Sequence, residues 1–141
     1  MRKMKKMGIL LVTVLMLLGA DSTVFASVVH NGSITIFTRQ YVDSNQWTYV
    51  CDSSSTDKSK YLQVKIAAIY KADGSDSNYK KVKIYCAAGN YVVGSETIGI
   101  NDSKFYDVPS DYNAAGTINK LFAMGNDPSL DCQISGFFTT H

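Results

Sequence analysis

The sequence predicts an all-β fold: a single-domain antiparallel β-sandwich, or partly open barrel, of about 6–8 strands after an N-terminal signal peptide. Three observations carry this expectation. Apolar and polar residues alternate with period two through Tyr61–Cys86, several short strand-like runs recur at near-regular spacing between turn residues, and no stretch has a strong 3.6-residue apolar period. Neither an internal repeat nor a low-complexity tract interrupts the pattern.

Met1–Ala26 reads as the signal peptide. Arg2, Lys3, Lys5 and Lys6 make a basic start, Gly8–Ala20 is a run of 13 residues with only Thr13 polar, and Val24-Phe25-Ala26 suits a signal peptidase. The run is shorter than the ~20 residues a spanning helix needs. The expected product is therefore a secreted, extracellular chain cleaved after Ala26, with no transmembrane segment left. Cleavage would remove 4 of the 14 basic and 1 of the 12 acidic residues, taking the net charge from +2 to −1 with His neutral. The basicity belongs to the leader, so nothing supports a general affinity for nucleic acid or anionic membrane. The remaining 115 residues, 27–141, are enough for one core without a metal or a dense disulfide framework.

The strands then follow in order. Ser33–Arg39 carries Ile34 and Ile36 on one side, and Gln46–Cys51 carries Trp47, Tyr49 and Cys51 on one side. Tyr61–Cys86 reads as a long hairpin: Leu62, Val64, Ile66, Ala68, Tyr70 and Val82, Ile84, Cys86 face inward, with Ile69 on the other face, and Asp73–Asn78 is turn chemistry. Pairing Ala68 with Val82, Ile66 with Ile84 and Val64 with Cys86 keeps the apolar sets together and places Lys65 beside Tyr85. Tyr91–Ile100 is a strand in which Gly94 and Gly99 suggest bends or a bulge, and Asn101–Gly116 is a polar excursion around Pro109. Thr117–Met124 fits either a helical turn or a strand with Leu121 and Ala123 against Lys120, Phe122 and Met124; its length and the Gly125–Pro128 stop favour the strand. Leu130–Thr139 closes the fold with Leu130, Cys132 and Ile134 inward.

Cys51, Cys86 and Cys132 all lie in the exported part, where an oxidising compartment permits a disulfide. Simple up-and-down strands would bring all three to one end. Cys51 with Cys86 is the preferred pair; the competing expectation is three buried thiols acting as small apolar residues.

No zinc-type spacing exists, and His30 and His141 lie at the two ends of the mature chain, where fraying is expected, so no metal or other cofactor is implied. Asp73–Asn78 and Asn101–Asp111 are rich in oxygen ligands but lack the pattern of a twelve-residue calcium loop and read as plain turns. Glu96 is the single glutamate, and no framed nucleophile is present, so the chain reads as non-enzymatic. The sharper expectation concerns the outer face of the hairpin, where Tyr61, Lys65, Tyr79, Lys81, Lys83 and Tyr85 would form one ligand-binding surface. Tyrosine rings suit sugar rings, and lysines suit anionic polymers. The bland counterpart is an ordinary solvated sheet face.

Ile34–Phe37, the Trp47-Thr48-Tyr49-Val50 strand after a polar turn, and Gly125-Asn126 followed by Ile134-Ser135-Gly136-Phe137-Phe138 give the chain a resemblance. Together with the leader, they make it similar to small, uncharacterised secreted β-rich proteins of Gram-positive bacteria, some associated with bacteriocins. The resemblance implies no catalytic or binding residues. The expected function is a secreted interaction protein that engages a cell-envelope polymer or surface protein, at the bacterial cell surface or as a bacteriocin-like factor. The alternative is a small cell-envelope hydrolase.

Overall fold

The computed structural model describes residues 25–126 and 130–141. The expected leader, apart from Phe25 and Ala26, lies outside the described residues, as do Asp127 and Pro128 of the expected stop.

Among the described residues nine strands form: β1 (Ser27–Asn31), β2 (Ile34–Val42), β3 (Thr48–Ser53), β4 (Tyr61–Lys71), β5 (Lys81–Ala88), β6 (Tyr91–Gly99), β7 (Ser103–Asp107), β8 (Asn119–Gly125) and β9 (Cys132–Thr140). A 3₁₀ turn at Ser110–Tyr112 is the one helical element among them. The strands make two open antiparallel sheets, ordered β1-β2-β9-β4-β7 and β3-β8-β5-β6, as in a β-sandwich. Thr117–Met124 resolves as a strand, β8, with Leu121 and Ala123 buried. The excursion 101–116 is not wholly irregular, since it contains the edge strand β7. Leu130 precedes β9 and is exposed rather than inward.

The inward sets of the central stretch are as expected through Ile66 and in β5. Past Ile66 a bulge makes Ala67 the extra residue, so Ile69 is buried where Ala68 and Tyr70 were expected inward, and the pairing of the two strands differs altogether. Leu62, Val64 and Ile66 and, from β5, Val82, Ile84 and Cys86 are all fully buried in one core cluster with Phe37, Leu121, Ile134 and Phe138. Yet β4 pairs with β9 and β7, whereas β5 pairs with β8 and β6, so there is no β4–β5 hairpin. Val64 lies opposite Phe138, and Ile84 lies opposite Ala123. The segment 72–80 instead carries the chain from one sheet to the other. A tight turn starts it, with Gly74 at φ +85° donating its N–H to Lys71 O at 2.8 Å. Period-two alternation reveals which side of a strand is apolar; it does not distinguish two strands lying side by side from two facing each other across a core ~10 Å thick.

Bulges set the facing of several strands. In the first sheet both neighbours of β9 bulge at the same level, β2 between Phe37 and Gln40 and β4 between Ile66 and Ala68. Arg39, in the β2 bulge, has φ +49° and donates its N–H to Ser135 Oγ at 2.9 Å. Ile66 O, opposite Gly136, accepts the N–H of Asn101 at 2.8 Å. Gly136 fits this crowded level because a Cβ there would lie 2.0 Å from Lys65 O. In the second sheet the register shifts beside Gly94, as its glycine suggests.

The sandwich closes differently along its two sides. Along β6 and β7, Tyr106 lies over Gly94, where a Cβ would come within 2.1 Å of the ring, and its hydroxyl donates to Glu96 Oε1 at 2.5 Å. Where β2 and β9 meet β3 and β8, hydroxyls bridge the sheets. Thr35 Oγ1 donates to Asp52 O at 2.6 Å, Ser53 Oγ to Ser33 O at 2.6 Å, and Thr140 Oγ1 to Ser53 Oγ at 3.0 Å.

The expected Cys51–Cys86 disulfide is absent, and all three cysteines are buried free thiols. Register gives the reason. Cys51 and Cys86 both lie opposite Leu121, one on each side of β8, which places them two strand spacings or ~10 Å apart. A disulfide needs Cα atoms within ~7 Å. Cys132 is not at their end: it lines a hollow with Lys81 and Gly125, and Cys86 lies five residues further along β5, ~16 Å away.

Candidate functional site

A one-residue bulge in β3 builds the most distinctive surface. Tyr49 pairs with Phe122 and Cys51 with Leu121, so Val50 is the extra residue. The bulge lets Val50 and Cys51 both point into the core, at 2% and 1% exposure, and leaves Trp47 and Tyr49 outside. Trp47, Tyr49 and Cys51 therefore do not share a side, contrary to strict alternation.

Outside, Tyr49, Phe122 and Tyr85 occupy one cross-strand row over β3, β8 and β5. Phe122 and Tyr85 are stacked at 4.4 Å and 10°, Tyr49 meets Phe122 edge-on at 5.7 Å, and Trp47 meets Tyr85 edge-on at 4.8 Å. Each such pair contributes ~0.5–1.5 kcal/mol beyond its buried area, so the four rings hold one another in a continuous aromatic surface. Trp47 and Tyr49 remain 40% and 49% exposed.

Charge frames the rings. Lys81 and Lys83 alternate with Tyr85 on the outer face of β5, and Lys120 shares the outer face of β8 with Phe122 and Met124. Asp52 lies opposite Lys120 and accepts the Tyr49 hydroxyl at 2.5 Å. Burial and the Asp52 carboxylate both push the Tyr49 phenol well above its ordinary range, and burial also raises Tyr85. Both rings stay neutral near pH 7, so they offer flat faces and hydroxyl groups rather than phenolate charge. Burial raises all three thiols, Cys132 to about 11, which keeps them in the protonated form near pH 7.

The six residues expected to form one surface are split. Lys81, Lys83 and Tyr85 lie on the aromatic face of the second sheet. Tyr61 and Lys65 lie on the outer face of the first sheet, because β4 belongs there. Tyr79 sits in the crossover, half-buried against the core. The patch fails as a unit for the same reason as the hairpin, and Lys65 is not beside Tyr85.

Tyr61 has other neighbours. Phe105 meets it edge-on at 5.5 Å, and His141 stacks on it at 4.6 Å. His141 does not fray: its backbone N–H donates to Tyr61 O at 2.9 Å, and Nε2 lies 2.8 Å from Thr139 Oγ1 and 3.0 Å from Gln63 Oε1. His30 is also held, with Nδ1 2.9 Å from Thr35 Oγ1. Among the described residues no group of three or more His, Cys, Asp or Glu side chains converges on a metal-sized site.

Trp47, Tyr49 and Phe122 are the members of the aromatic face that the expected surface omitted. The outward set of β8 was legible from alternation, but its neighbours were not, and the β3 bulge hid Trp47 and Tyr49. Set against protein-family models, curated proteins and solved structures, the chain finds no match in any of the three comparisons.

Proposed function

We propose that the chain is an exported, non-catalytic binding protein that acts at the bacterial cell surface, as a surface factor or a bacteriocin-like one. In this reading the outer face of the β3-β8-β5-β6 sheet contacts an extended, anionic cell-envelope polymer. The observation that carries the reading is the series Trp47, Tyr85, Phe122 and Tyr49, four rings in contact over three strands and bordered by Lys81, Lys83 and Lys120. Rings already ordered by one another lose little freedom when a ligand stacks on them, and Trp and Tyr anchors dominate binding energy where they occur. With a mature net charge of −1, attraction to an anionic polymer falls to these local lysines.

Co-sedimentation of residues 27–141 with purified cell walls tests the proposal. The wild type is expected to pellet without releasing soluble fragments. Trp47→Ala with Tyr85→Ala should abolish pelleting, whereas Tyr61→Ala with Phe105→Ala, on the opposite sheet, should leave it intact. Release of wall fragments, or equal pelleting of all three proteins, overturns the reading.

A further inference from the structure

At one end of the sandwich, away from the aromatic face, the β5–β6 turn and the 3₁₀ turn form the walls of an open cleft of about 500 Å³. That size falls in the range of sites for small molecules, ~300–1,000 Å³. Asn90 and Tyr91 come from the first wall, Asp111 and Tyr112 from the second. The two tyrosine rings are stacked at 4.2 Å and 10° and are each about two-fifths exposed.

We propose that this cleft is a saccharide-binding site that takes a single uncharged, hydroxyl-rich ring. Two observations choose that chemistry. A stacked tyrosine pair uses one face of each ring and leaves the others for the flat C–H face of a pyranose, while the Asp111 carboxylate and Asn90 amide provide an acceptor and a donor–acceptor group for hydroxyls. No lysine, arginine or histidine lines the cleft, and its one charged group is a carboxylate, so a phosphate, sulfate or carboxylate ligand would meet repulsion.

The walls are fixed before any ligand arrives. Gly89, at φ +60°, donates its N–H to Ile118 O at 3.1 Å, tying the β5–β6 turn to the segment before β8. Tyr112 N–H donates to Pro109 O at 2.9 Å, and Thr117 Oγ1 donates to Ala114 O at 2.7 Å. The cleft is thus pre-organised and separate from the polymer-contacting face, and the proposal stands or falls independently of that reading.

The test is a titration of ¹⁵N-labelled residues 27–141 with the methyl glycosides of glucose, galactose and N-acetylglucosamine, followed by amide shifts. At least one glycoside should give saturable shifts confined to residues 89–91 and 111–112. Asp111→Asn should weaken that affinity about tenfold, because its amide oxygen still accepts a hydrogen bond but without the charge that strengthens it, with an unchanged melting temperature. Tyr112→Ala should remove saturation. Three results overturn the proposal: no saturable shift at the cleft with any glycoside, shifts confined to the Trp47 indole and its neighbours, or tighter binding of glucose 6-phosphate than of methyl glucoside.

Discussion

The two outer faces of the sandwich obey the same alternation, and both carry exposed rings, but their central strands end up with different characters. On the first sheet, Ile36 lies in a small apolar cluster with Ile34, Ala67 and Phe137, and is only 1% exposed. On the second, the central row is aromatic, bordered by lysine, and open at Trp47 and Tyr49. The first face also overlies the level where β2 and β4 both bulge around Gly136. An outward-facing side chain can therefore be packed under its neighbours on one sheet and remain open to solvent on the other. What separates the two is whether its neighbours bury it or leave a flat surface exposed.

The comparison is broken most severely at Gly136. Gly136→Ala forces a methyl group into Lys65 O and the Phe37 ring, and is expected to cost more than ~4 kcal/mol, seen as loss of cooperative urea unfolding. A variant that unfolds near the wild-type midpoint would show that the paired bulges carry no strain. Next, Ile36→Ala should destabilise by ~2–4 kcal/mol. Trp47→Ala should cost only ~1 kcal/mol, because it loses an edge contact and partial burial. Equal costs would mean that the two faces do not differ as described.

Lys81→Glu with Lys83→Glu tests the binding role proposed for the second face. Stability should stay within ~0.5 kcal/mol, while co-sedimentation with anionic wall polymer falls and the wild type's salt sensitivity is blunted. Binding that is indifferent to both charge and salt would assign this face to solvent. The smallest effect is in pH. Burial holds the His141 imidazole below its ordinary value, so the unfolded chain takes up the proton first. The stability it contributes is present above about pH 6.5 and is lost as pH falls below that value. A denaturation series from pH 7 to pH 5 should show a shallower decline for His141→Gln than for the wild type, and identical slopes would contradict the assignment.

Much of the layered architecture was legible because burial enforces period two. Val82, Ile84 and Cys86 had to face a core, and Leu121 and Ala123 had to oppose Lys120, Phe122 and Met124. What alternation does not encode is adjacency. Tyr61–Lys71 and Lys81–Ala88 look like hairpin arms from their own residues alone, and only the partners β9, β7, β8 and β6 decide otherwise. A single inserted residue is equally silent: nothing in Tyr49-Val50-Cys51 announces that Val50 is the extra one. The aromatic face depends on both kinds of information, since its row joins β3, β8 and β5. Half of the expected surface, Lys81, Lys83 and Tyr85, survives because those residues share one strand.

The place of β9 bears on the order of assembly. It lies between β2 and β4, with Ile34 opposite Thr139 and Lys65 opposite Phe137. The five-stranded layer therefore has no interior until residues 132–140 have been synthesised, and closing it joins Ile34 to a position 105 residues on and Lys65 to one 72 residues on. Such pairings are slow to nucleate, because the entropy of closing the intervening loop is lost before any contact compensates. A nascent chain of this topology therefore remains without a finished core through most of its synthesis, and the sandwich closes only when its last strand arrives.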